Sequence, residues 1–270
     1  MEAGSDNEAI FDYLAGLGCE THTTSSVVLS VAARGSATLC TIDGLSVDVN
    51  ILLANSTDDS HMRAVWDALE LSGVTTINPL AAVRAANDKR RVAARLRNGS
   101  VPVPDWVSLA PGDMRRGSAA LLALGCPVAV ILPRAKPGGG VTLAWDPNGL
   151  FALLETHGAE HGLMLQRYIQ DGAREIRVCV IGGEARSAVL RSTNIPVELT
   201  ANERAIAEAA QRALGLEVTA VDLVLDNGSV VVLDVTPNAP LVFDSAASGT
   251  DLIQLVAQRL LTRALRTASM

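Results

Sequence analysis

Lysine is nearly absent from this chain. Of 22 basic residues among 270, only Lys89 and Lys136 are lysines. Arginine serves wherever a generic positive charge is enough, so the two lysines are either held by chemistry or chance survivals in an Arg-biased composition. Aromatic residues are scarce at 3%, and the basic stretch RRVAARLR has none interleaved. With a net charge of −7, that argues against a nucleic-acid or anionic-membrane partner. The four cysteines show no CxxC spacing, as expected for reduced core residues in a cytoplasmic protein. Long apolar runs are also missing. The longest, Ala119 to Leu132, is broken by Gly125 and Pro127 and is too short to span a bilayer. The opening residues, MEAGSDNEAIFDYL, carry no signal-peptide pattern.

What is present is an alternation of strand and helix patterns. EAIFDYLAGLG reads as a helix, SSVVLSVA and ATLCTIDG as strands, VDVNILLA as a buried parallel strand, and HMRAVWDALELSG as an amphipathic helix before the short strand VTTINP. A helix or helix pair with a basic face follows (LAAVRAANDKRRVAARLRNG), then the rigid VPVPDW, a helix over 115–126, the apolar strand CPVAVILP and a glycine loop, RAKPGGGVTLAW. Further on come a helix at NGLFALLETHG, the stretches LMLQRYI and DGAREIRVCVIGGEARSAVLR, a long helix at ANERAIAEAAQRALG, a hairpin and a closing helix. His157 and His161 have i, i+4 spacing but no third ligand, and read as surface residues. Cys179 lies in an apolar strand and reads as core.

The hairpin, AVDLVLDNGSVVVLDVTPNAP, puts Asp222 and Asp234 into apolar strand sequence. Because side chains alternate, the turn length decides whether they meet. A two-residue Asn227-Gly228 turn sets Asp222 opposite Leu233 and sends Asp234 to the other face. A three-residue loop makes the aspartates diagonal neighbours, and a five-residue loop pairs them directly. An odd loop therefore builds an oxygen cluster suited to Mg²⁺, whereas an even loop leaves a turn cap and a solvent-facing acid.

Taken in order, ANDKRRVAARLRNGSVPVPDW, LGCPVAVILPRAKPGGGVTL, LMLQRYIQDGAREIRVCVIGG and AVDLVLDNGSVVVLDVTPNAP resemble the ATP-grasp superfamily, in its branch of RimK-like carboxylate–amine ligases. The resemblance implies an α/β ATP-grasp fold with a small N-terminal α/β domain (1–79), a central lid subdomain with the glycine loop (80–165) and a C-terminal α+β subdomain with the metal site (166–270). It implies ATP and Mg²⁺ as cofactors and small-molecule carboxylate and amine substrates, with a homodimer left open. By the same resemblance, Lys89 and Lys136, with Gly138 and Gly139, face the phosphates. Gln166, Arg167, Tyr168 and Ile169 form the adenine linker, Arg177 and Arg191 hold the acyl phosphate, and Asp222, Asp234 and Thr236 or Asn238 bind Mg²⁺.

Three departures from the family pattern are visible. Ile131 or Leu132 stands where a strand-ending lysine is usual, so Lys136 would have to replace it from within the loop. Asp234-Val235-Thr236 replaces Glu-x-Asn, and Arg167 replaces an acid in the linker. The expected activity is ADP-forming ligation of an amino acid such as glutamate to a cofactor precursor, with bacterial tetrahydromethanopterin or methylofuran pathways as a faint parallel. The alternative is a degenerate binding or scaffold protein on the same fold.

Overall fold

The computed structural model describes residues 4–22, 29–34, 37–42, 45–47, 49–53, 60–132, 140–169 and 174–268. Lys136, Gly138 and Gly139 therefore lie outside the described residues.

The N-terminal part holds α1 (Gly4–Gly16), an antiparallel sheet β1 (Leu29–Arg34), β2 (Ala37–Ile42), β3 (Leu45–Val47), and a parallel pair, β4 (Ile51–Leu53) with β5 (Thr75–Ile77), joined through α2 (Ser60–Leu71). After α3 (Leu80–Ala86) and α4 (Lys89–Asn98) comes an antiparallel sheet ordered β6-β9-β7-β8. Its strands are β6 (Trp106–Leu109), β7 (Val128–Ile131), β8 (Val141–Ala144) and β9 (Leu163–Arg167). α5 (Met114–Leu124) and α6 (Pro147–His161) cover one of its faces, burying Leu109, Leu124, Val128, Val130, Leu150 and Leu165. The C-terminal sheet is antiparallel in the order β11-β10-β12-β13, from β10 (Ile176–Ile181), β11 (Glu184–Leu190), β12 (Val218–Asp226) and β13 (Ser229–Thr236).

That last sheet is buried on both faces, which is why its strands read as nearly continuous apolar runs. Val178, Val180, Val221, Leu223, Val232 and Val235 point to α7 (Ala201–Leu214), while Cys179, Ile181, Val218 and Ala220 point to α8 (Leu241–Ser248), α9 (Leu252–Ala268) and α1. α7 is sharply bounded. Thr200 and Glu203 form a reciprocal capping box, and Gly215 ends the helix in the left-handed region at φ 73°. α3 and α4 pack their apolar stripe against α7, so the helix pair that follows residue 79 shares the C-terminal core. The described cysteines are all free, but Cys126 is exposed, because it lies in the turn between α5 and β7 rather than in a core. Among the described residues no helix is long and apolar enough to cross a membrane.

One side chain fastens the N-terminal part to the C-terminal sheet. Asn78 is buried, and its Nδ2 donates to the Val218 and Pro237 carbonyls at 2.8 and 3.1 Å. Its Oδ1 accepts from the Glu217 and Val218 amides at 2.7 and 2.9 Å. Asn78→Ala leaves those backbone groups buried and unpaired, so urea denaturation should show a loss of about 2–4 kcal/mol. A loss below about 0.5 kcal/mol would mean that water reaches these groups.

Candidate active site

The hairpin parity resolves in a way that turn length alone does not give. The turn is the even one. Asp226 pairs with Ser229, and Asn227 and Gly228 have φ of 50° and 82°, the positive pair that a two-residue hairpin turn requires. The ladder then runs in that register as far as Leu223 opposite Val232. There β13 carries one extra residue, Leu233, and beyond this bulge Asp222 faces Asp234. The expectation that an even turn separates the two acids is therefore corrected by a bulge, which shifts parity by one residue.

Directly opposite carboxylates on adjacent strands would repel one another. Here each is met by cations. Arg177 lies opposite Asp222 on β10, and its Nε and Nη2 donate to the two Asp222 oxygens at 2.9 and 3.1 Å, a fork-to-fork pair. Arg191, just beyond β11, comes within 3.3 Å of Asp222 and also donates to Glu175. Lys89 Nζ donates to Asp234 Oδ1. Arg177, Asp222 and Asp234 thus form one row across three neighbouring strands, with Lys89 reaching in from α4 and Arg191 from the sheet edge. Burial opposes the charge of Arg177, but Asp222 outweighs it and the guanidinium is held more firmly protonated than usual.

Lys89 is not placed for the benefit of its helix. Asp88 caps α4 by accepting from the Arg90 amide, and Lys89 occupies the first helical position, where the macrodipole disfavours a cation. Thr236 follows Asp234 by two residues on the same face, and its hydroxyl accepts from the Asn238 amide at 3.4 Å; Asn238 itself is exposed.

Towards the hairpin tip the same face becomes apolar. Val224 and Val231, paired across the ladder, and the bulged Leu233 pack with Ile169 of the linker. Beyond them Arg167 makes a bidentate pair with Asp226, which holds that carboxylate below its usual range. Tyr168 meets Trp145 edge-on, with ring centroids 6.4 Å apart. Gln166 is buried between Trp106 and Ala129 on the neighbouring strands. One lane therefore runs from an ion pair, across an apolar patch, to a row of acids and cations. The sequence alone assigns no site role to Val224, Val231, Leu233, Asp226 or Glu175. Period-two counting from Asp222 reaches Val224, but Leu233 depends on the bulge.

Ile131 sits on the face of β7 opposite Val130, packed with Ala93 of α4, Ala129 and Met164, whereas Leu132 packs with the α5–α6 core. Ile131 is the side chain on the α4 side at the strand end.

Comparison with known proteins shows the family and the fold. A family described as the RimK-like ATP-grasp domain matches residues 86–260. A probable alpha-L-glutamate ligase of Thioalkalivibrio sulfidiphilus is 29% identical over 206 residues, which is 70% of this chain and 68% of that protein. Another, from Pseudoalteromonas translucida, is 30% identical over 211 residues, 72% of this chain and 69% of that one. Among solved structures, a RimK domain ATP-grasp protein from Sphaerobacter thermophilus superposes with a TM-score of 0.77 at 21% identity, covering 95% of each chain. The ATP-grasp ligase PsnB, complexed with minimal precursor, Mg and ADP, gives 0.75 at 17% identity over 96% of this chain and 94% of PsnB. These structures share the ATP-grasp fold. The chain belongs to the RimK-like ATP-grasp domain family, whose ligases form amide bonds with release of ADP.

Proposed function

We propose that this chain uses ATP to convert a carboxylate into an acyl phosphate and then joins it to an amine, the amino acid being one such as glutamate and the other substrate a small-molecule cofactor precursor. A carboxylate oxygen attacks the terminal phosphorus and ADP leaves; the amine then attacks the acyl carbon and phosphate leaves. The observation that carries this reading is the row of Arg177, Asp222 and Asp234 with Lys89 and Arg191 closing on it, set beside an apolar patch on the same face.

The roles follow from charge and shape. Ile169, Val224, Val231 and Leu233 offer an apolar bed for a base, with Gln166, Arg167 and Tyr168 just before Ile169 in the chain. Lys89, with Lys136 and the glycines at 138 and 139, would neutralise the nucleotide phosphates, and Arg177 and Arg191 the phosphate in transfer. Asp222 and Asp234, with Thr236 or Asn238, would hold Mg²⁺. Two carboxylates face each other, and among the described residues no third His, Cys, Asp or Glu joins them. That donor set fits an ion which keeps waters and phosphate oxygens as its other ligands rather than one needing an all-protein cage. When bound, Mg²⁺ supplies positive charge at the phosphate oxygens undergoing transfer.

The names of the relatives support glutamate as the amino acid. The PsnB precursor makes a peptide the competing choice for the second substrate. One observation favours a second reading, a fold that keeps the cleft without catalysis: Ile131 is buried in an apolar cluster at a strand end where a lysine would serve the phosphates. Measuring ADP formation with ATP, Mg²⁺ and L-glutamate against a panel of carboxylate acceptors separates the two. Glutamate-dependent ADP release is expected. No ADP formation with any pairing would favour the second reading.

A further inference from the structure

Asp244 is buried to 1% exposure, and its Oδ2 is the one buried side-chain nitrogen or oxygen among the described residues without a hydrogen-bond partner. An unpartnered buried carboxyl is costly, so its presence asks for a reason. Its helix is aimed with some care. The Asp6 carboxylate of α1 accepts from the Leu241 and Val242 amides at 3.1 and 2.8 Å and fixes the start of α8. Leu241 packs in the same cluster as Cys179 of β10. Asp244 lies one helical turn beyond Leu241 on the same face of α8, and Arg177 lies two residues before Cys179 on the same face of β10. Both side chains are therefore placed on the side of the sheet that α8, α9 and α1 cover.

The electrostatics agree. Arg177 is held protonated by Asp222, then by Asp244 and Asp234, against the effect of burial. Burial lifts Asp244 to about 6, opposed by Arg177 and reinforced by Asp222 and Asp6. Burial, then Asp244 and Asp6, also push the Cys179 thiol above its usual range.

We propose that Asp244 is a positioning residue, which holds the Arg177 guanidinium from behind so that it stays aimed into the cleft when Asp222 serves as a metal ligand. This rests on the ligase reading above. In the structure the Nε and Nη2 of Arg177 are both taken by Asp222. If Asp222 turns to Mg²⁺, Arg177 needs another counter-charge, and Asp244 is the carboxylate too deeply buried to reach substrate itself.

The test uses the full chain and ATP with Mg²⁺ as the probe. Asp244→Asn should weaken Mg²⁺-dependent ATP binding about fivefold or more; Arg177→Ala should weaken it further, and adding Asp244→Asn to Arg177→Ala should change nothing more. Wild-type affinity should rise between about pH 5 and about pH 7 as Asp244 ionises, and the Asn variant should lack that rise. The groups facing Asp244 are Arg177, Asp222, Asp6 and Cys179. Urea denaturation serves as the control, since a purely structural Asp244 would lower stability and affinity together. Additive losses in the double variant, or an Asn variant that binds as the wild type does, would overturn the proposal while leaving the ligase reading intact. A wild type that binds no ATP in the presence of Mg²⁺ would overturn both.

Discussion

Asp222→Ala is expected to abolish ligation and to destabilise the protein by about 3 kcal/mol, because it removes the shared partner of two arginines. Asp222 is 2% exposed and receives both arms of Arg177, while Arg191 lies 3.3 Å away. Without it Arg177, itself largely buried, faces Asp244 and Asp234 but has lost its fork-to-fork pair. Asp222→Asn separates the two roles. The amide keeps an acceptor for the guanidinium and the shape of the site, so stability falls less, whereas the charge and the metal ligand are gone. Activity should drop by roughly a thousandfold or more in both variants. Equal stability losses would show that charge, not hydrogen bonding, holds Arg177. Near-normal activity in Asp222→Asn would remove this residue from the proposed metal site.

Lys89→Ala should split in the opposite direction, with affinity for ATP and Mg²⁺ falling roughly tenfold to a hundredfold and unfolding free energy changing by less than about 1 kcal/mol. The reason lies in its placement. Lys89 and Asp234 are each about one-third exposed, at 33% and 32%, so solvent screens their ion pair and little stability rests on it. Removing a cation from the first position of α4 also relieves an unfavourable interaction with the helix dipole. The lysine is therefore poorly placed for folding and well placed for an anion. Calorimetry of ATP binding, paired with urea denaturation, checks both halves. A large stability loss with unchanged affinity would make Lys89 a structural partner of Asp234 and nothing more.

Much of this architecture was legible from local chemistry. Continuous apolar runs gave strands of the C-terminal sheet, and the stretch ANERAIAEAAQRALG gave α7. Lys89, Arg177, Arg191, Asp222 and Asp234, singled out from sequence, are brought together along one row. What could not be read was the means of their meeting. Turn length predicts parity only in an unbroken ladder, and at the bulge Leu233 packs with Ile169 and Val224, residues remote in sequence or on the partner strand. Arg167 looked like an anomaly in the linker because its acid, Asp226, lies 59 positions away. Asp244 was hidden for a similar reason. An acid in LVFDSAAS reads as a helix-face residue until α8 is laid against the sheet behind Arg177.

Asp222 and Asp234 are proposed to hold the metal of a nucleotide site. The most direct measurement is ATP binding by calorimetry, with and without Mg²⁺, on the wild type and on Asp234→Ala. Mg²⁺-dependent binding by the wild type is expected, with a loss of about tenfold or more in the variant. Absent binding in both proteins, or wild-type binding that ignores Mg²⁺, would contradict it, as would an Asp234→Ala variant with undiminished Mg²⁺ dependence.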